Sequence, residues 1–93
     1  MTTSIVRARV IVRGLVQGVF FRDTCRRTAA MLGVTGWVRN RRDGAVEAVF
    51  EGADAQVQAM VDWCRSGPPM AQVERIESQV EPPEGFATFE IRR

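Results

Sequence analysis

The sequence contains no histidine and no lysine, and all 13 of its basic residues are arginine. The first absence removes the commonest general acid–base group and the commonest metal ligand together. The two cysteines, Cys25 and Cys64, form no Cys-x-x-Cys pair. No zinc-type ligand set can therefore be assembled, and no metal or other cofactor is expected. Helical phase puts both cysteines on apolar stripes, where they read as buried free thiols. No apolar run approaches the roughly 20 residues of a membrane span. Arginines interrupt the apolar pattern of MTTSIVRARV, so it lacks the core of a signal peptide. A cytoplasmic chain with no membrane partner is expected.

What is present is ordinary in amount and uneven in arrangement. Ninety-three residues, 45% apolar and 26% charged, suffice for one domain with one core, spanning residues 1–93. The net charge of +2 conceals an asymmetry: residues 1–46 hold nine arginines against Asp23 and Asp43, and residues 47–93 hold four against nine acids. The front half is thus +7 and the back half −5. So basic a front half fits an anionic ligand, either a small phosphate compound or nucleic acid.

Val6, Ala8, Val10 and Val12 alternate with Arg7, Arg9, Ile11 and Arg13, which predicts a strand over residues 5–13. Phe21, Cys25, Thr28, Ala29 and Leu32 recur at helical spacing before Gly33, which predicts a helix over 21–32. Two strands follow, 34–40 and 45–50, with Asp43-Gly44 between them as a type I′ hairpin signal. Val57, Met60, Val61 and Cys64 mark a second helix over 54–66, stopped by Gly67-Pro68-Pro69. Residues 73–80 and 86–92 read as further strands divided by Pro82-Pro83-Glu84-Gly85. The order is βαββαβ with an extra C-terminal strand: a ferredoxin-like α+β sandwich, an antiparallel sheet of four to five strands with two helices on one face. Trp37 and Trp63 are expected in the core.

Between the first strand and the first helix lies GLVQGVFFR, Gly14 to Arg22. Gly14 and Gly18 permit positive φ, so the loop can turn several N–H groups toward one point. The helix start adds its own free N–H groups and the positive end of its dipole. Arg22, in the first turn, supplies a guanidinium able to hold two oxygens of a tetrahedral anion. Gln17 reads as a loop side chain bonding its own backbone.

GLVQGVFFR fits the pattern G-x-V-Q-G-V-x-F/Y-R without a mismatch, and Gly36 to Gly52, GWVRNRRDGAVEAVFEG, fits G-W-V-x-N-x3-G-x-V-x5-G. Trp63, Gly67-Pro68, Ala71 and Val73 match W-x3-G-P-x2-A-x-V. In these blocks, and in its closing FEIRR, the sequence resembles the acylphosphatase family. The resemblance implies hydrolysis of an acyl phosphate to a carboxylate and inorganic phosphate. It implies that Arg22 holds the phosphoryl group together with loop N–H groups of Leu15, Val16, Gln17, Gly18, Val19 and Phe20, and that Asn40 positions the attacking water. The last position departs from the pattern, with Arg93 where the family often has an aromatic residue.

The lack of a general base agrees with such a substrate. The leaving carboxylate has a conjugate acid of pKa about 4 and departs without protonation. A loose transition state leaves the protein mainly positioning and electrostatics. The alternatives are a ferredoxin-like nucleic-acid-binding module or a non-catalytic regulatory domain. Base-stacking aromatics and an RNP1 pattern are missing from the strands, so no nucleic-acid partner is expected. Intact Arg22 and Asn40 argue against the second. No heptad or long apolar patch demands a partner chain, and a monomer is expected. No part of the sequence reads an acyl group.

Overall fold

Alternation decides the first strand: β1 (Ile5–Leu15) turns Ala8, Val10 and Val12 into the core and Arg7, Arg9, Ile11 and Arg13 to the opposite face. The computed structural model describes residues 4–93, so the first three residues of MTTSIVRARV lie outside the described residues. Helix α1 (Phe21–Leu32) ends as expected at Gly33, whose φ is 71°. There the N–H groups of Gly33 and Val34 donate to the carbonyls of Ala30 and Ala29, satisfying the last turn. The chain continues through β2 (Thr35–Asn40), β3 (Val46–Ala53), α2 (Asp54–Cys64), β4 (Gln72–Glu81) and β5 (Phe89–Arg92). The strands form one sheet in the order β4-β1-β3-β2-β5, with both helices packed on one face. This is the ferredoxin-like α+β fold. Phe21, Phe50 and Met60 are among the fully enclosed side chains between the layers. Each such burial contributes roughly 1.5–3 kcal/mol.

Four expectations are corrected. The sheet is mixed rather than antiparallel, because β5 pairs parallel with β2. Strands β1 and β2 both run against β3, and the chain reverses after β4 before landing beside β2. Consequently β1, β2 and β5 point the same way, and their C-terminal ends share one end of the sheet. The hairpin between β2 and β3 is present, but its turn is not type I′. Only Gly44 has positive φ, at 91°, the Arg41 carbonyl accepts from Gly44 N–H, and Arg41 N–H donates to Ala45. Helix α2 stops at Cys64 because Arg65 and Ser66 donate to carbonyls three residues back, tightening the last turn. Residues 86–88 do not join β5, since the N–H of Phe86 is taken by the Glu51 carboxylate.

The face away from the helices is covered by ion pairs. Glu51, 2% exposed, accepts from Arg7 at 3.0 Å and from the N–H groups of Glu84, Gly85 and Phe86. Burial works against its charge, but those donors outweigh it and hold the carboxyl below its ordinary value. One carboxylate thus ties the loop after β4 across the sheet. Trp37 is buried on this face, not in the core between helices and sheet, with the guanidinium groups of Arg9, Arg39 and Arg92 at 5.2 to 5.9 Å from its ring. Trp63 packs edge-on against Phe21 at 5.1 Å.

Glu81 accepts from Arg9 at 2.8 Å and from Gln79 at 2.8 Å, and these bonds, joined by one from Arg7, take its carboxyl down to about 2. A depressed carboxylate stabilises the fold fully above its unfolded pKa and loses that contribution as pH falls through the folded one. The urea midpoint is therefore expected to drop between about pH 4 and pH 2. That acid-induced drop should be smaller in Glu81→Gln; an identical drop in the variant would remove Glu81 from this account.

Candidate active site

The C-terminal ends of β1, β2 and β5 meet the N-terminus of α1 around a cleft of about 360 Å³. Val16, Gly18 and Phe20 line it from the loop, and Phe21, Arg22 and Asp23 from the first helical turn. Asn40 enters from the end of β2 and Ile91 from β5. Arg22 and Asn40, 18 residues apart in the chain, are thus walls of one cavity.

The two glycines of the loop do different work. Gly14 belongs to β1, at a bulge in the pairing with β4, and a Cβ there would lie 2.2 Å from the Gln72 carbonyl oxygen. It is not part of the cradle. Gly18 has open space around it and is required for its φ of 75°. Phe20 then adopts the left-handed conformation without being glycine, with φ 64° and ψ 24°, at a cost of roughly 1–2 kcal/mol. These two positive-φ residues wind the chain so tightly that, among the described residues, no N–H from Val16 to Phe20 finds a backbone or side-chain acceptor. The helix begins with no side-chain cap either. A row of donors without intramolecular partners therefore precedes the positive end of the α1 dipole.

Arg22 forms no ion pair among the described residues, although Asp23 beside it binds Arg26 and Arg27. A free, half-buried guanidinium at the positive end of a helix is unfavourable by itself. Asn40 is unmatched in the complementary sense, because its Oδ1 is buried and has no donor. An orphaned acceptor of this kind costs about 1–3 kcal/mol. Arg22, Asn40 and the loop residues Val16, Gly18 and Phe20 thus line one cavity.

Leu15, Gln17 and Val19 do not line the cleft. Leu15 is still in β1, paired with Gln72, and the Val19 side chain is in the core. Gln17 does not bond its own backbone; its amide donates to the carbonyls of Arg41 and Ala45, at 2.7 and 3.0 Å. It clamps the loop to the neck of the hairpin that carries Asn40. Phe21, Asp23 and Ile91 are lining residues that the sequence reading did not place in the site. Ile91 carries no local signal, since only the parallel β2–β5 pairing brings it there.

Cys25 and Cys64 are free and buried, and burial pushes the Cys64 thiol up to about 12 and Cys25 well above its ordinary value. Among the described residues no group of three or more Cys, Asp or Glu side chains is placed to hold a metal ion.

Comparison with known proteins matches the family model described as Acylphosphatase over residues 8–91. A protein named acylphosphatase from Gloeobacter violaceus is 57% identical over 88 residues, 95% of each chain. Another, from a Synechococcus species, is 59% identical over 87 residues, 94% of this chain and 93% of its own. Among solved structures, that of an acylphosphatase from Coxiella burnetii superimposes with a TM-score of 0.91 at 36% identity, covering 95% of this chain and 93% of its own. A chain so matched over nearly its whole length belongs to the acylphosphatase family.

Proposed function

We propose that this hydrolase breaks the carboxyl–phosphate anhydride bond of an acyl phosphate without a metal ion, using Arg22, Asn40 and the loop N–H groups. The observation that carries the reading is the set of unmatched polar groups around one cleft. Arg22 grips two phosphoryl oxygens, and N–H groups between Val16 and the first turn of α1 take up the rest of the developing charge. Asn40 accepts a hydrogen bond from the attacking water and aligns it with the phosphorus–oxygen bond that breaks.

The reaction balances without a protein base. Water forms the new P–O bond, the P–O bond to the acyl group breaks, and the carboxylate leaves with the electron pair. The leaving group's pKa of about 4 removes any need for an acid. The proton of the water passes to a phosphoryl oxygen, and the products are the carboxylate and inorganic phosphate.

The outer sheet face supports this reading over nucleic-acid binding. Arg7, Arg9 and Arg39 on it are paired with Glu47, Glu51 and Glu81, and Trp37 lies beneath the guanidinium groups of Arg9, Arg39 and Arg92 instead of offering a stacking platform. Among the described residues no helix is long and apolar enough to cross a membrane. Buried, unpaired thiols agree with a reducing compartment such as the cytoplasm, and the residues assigned to the reaction here all come from one copy, which supports a monomer.

Hydrolysis of benzoyl phosphate is expected to persist after treatment with EDTA, with inorganic phosphate inhibiting competitively and raising the melting temperature. Activity that disappears on chelation and returns with added metal would overturn the metal-free route.

A further inference from the structure

The cleft has a second wall that the phosphate chemistry does not use. Phe20 is 69% exposed and Ile91 42% exposed, and both line the cavity that holds Arg22 and Asn40. Their origins are independent: Phe20 stands at the turn into α1, and Ile91 comes from β5 at the far end of the sequence. An exposed aromatic ring held in a left-handed conformation is disfavoured both by solvation and by backbone strain. Among the described residues nothing covers it. Behind Ile91, Phe89 continues β5 into the core and stacks on Phe50 at 5.8 Å, while the loop before β5 is tied down by Glu51. The wall is therefore carried by anchored elements.

An acyl phosphate has two ends. When its phosphoryl group lies among Arg22 and the loop N–H groups, its acyl substituent must leave the cradle through the same cleft. There it meets Phe20 and Ile91.

We infer that Phe20 and Ile91 form an acyl-binding wall that selects bulky apolar acyl groups over small ones. The inference rests on the hydrolysis proposed above and adds the substrate class. Apolar contact of this kind discriminates by roughly 10- to 200-fold per well-placed group in a closed pocket, and an open cleft should sit near the lower end.

The test compares acetyl phosphate with cyclohexanecarbonyl phosphate, whose carboxylates are leaving groups of nearly equal basicity, so that recognition is separated from reactivity. The ratio of kcat/KM, cyclohexanecarbonyl over acetyl, is expected to be about 10 in the unaltered protein. Ile91→Thr keeps a β-branched strand residue and Phe20→Asn keeps a residue tolerant of left-handed backbone, so both should fold. Each is expected to bring the ratio down several-fold, while the inhibition constant of inorganic phosphate in Ile91→Thr stays unchanged. A ratio near 1 in the unaltered protein, or a ratio untouched by both substitutions, overturns the wall alone. Inertness toward both substrates overturns the hydrolysis itself, and the wall with it.

Discussion

Arg22→Ala is expected to lower kcat/KM for benzoyl phosphate by at least roughly 100-fold, the scale of removing one donor to a developing oxyanion. The fold should not suffer. Arg22 has no ion pair to lose among the described residues, and it opposes the α1 dipole in its first turn. A cation at that end is unfavourable by about 0.3–1 kcal/mol, so the variant should unfold at an equal or slightly higher urea concentration. Opposite signs for activity and stability are what a residue kept for its ligand produces. Because the guanidinium grips the phosphoryl group in the ground state as well, KM and the phosphate inhibition constant should rise together with the fall in kcat. The thermal shift produced by phosphate should shrink accordingly. Arg22→Lys keeps the charge but loses the two-pronged geometry, and should recover only part of the rate. A variant lacking the arginine yet turning over like the unaltered protein would take Arg22 out of the site.

The parts of the molecule that sequence alone made legible are those governed by local periodicity. Alternation along β1 and the 21–32 stripe of α1 set their faces without help from the rest of the chain, and Gly33 ended the helix by a conformation only local geometry requires. The turn into α1 was legible for the same reason, since Gly18 and the start of α1 are neighbours in the chain. What escaped depends on partners distant in sequence. Gly14 reads as a loop glycine until β4 is placed beside it, when the Gln72 carbonyl explains why no side chain fits. Trp37 reads as core by its apolar surface, but three arginines from three strands cover it. Gln17 has its acceptors 24 and 28 residues away. The parallel placement of β5 is the largest such case, because it alone delivers Ile91 to the cleft, a position that the motifs do not show.

Asn40→Ala is expected to show the same scale of loss as Arg22→Ala, at least roughly 100-fold, but in a different constant. The amide is proposed to hold the water and not the phosphoryl group, so kcat should fall while phosphate inhibition stays near its original strength. Stability should again hold or rise, since the substitution deletes a buried Oδ1 that has no donor. Asn40→Asp refines the role. It preserves size and an acceptor, but as a carboxylate it repels the phosphoryl dianion, and at neutral pH it should be as inactive as the alanine variant. Protonation restores a neutral group with one donor and one acceptor, the same pair that the amide offers. The rate of Asn40→Asp relative to the unaltered protein should therefore rise as pH is lowered through the carboxyl's titration, and Asn40→Ala should show no such recovery. Equal pH profiles for the two variants would mean that Asn40 acts only by filling space at the end of β2. Recovery confined to the aspartate would tie the orphaned oxygen to the water, and with it the division of labour in the cleft: Arg22 binding the phosphate and Asn40 delivering its nucleophile.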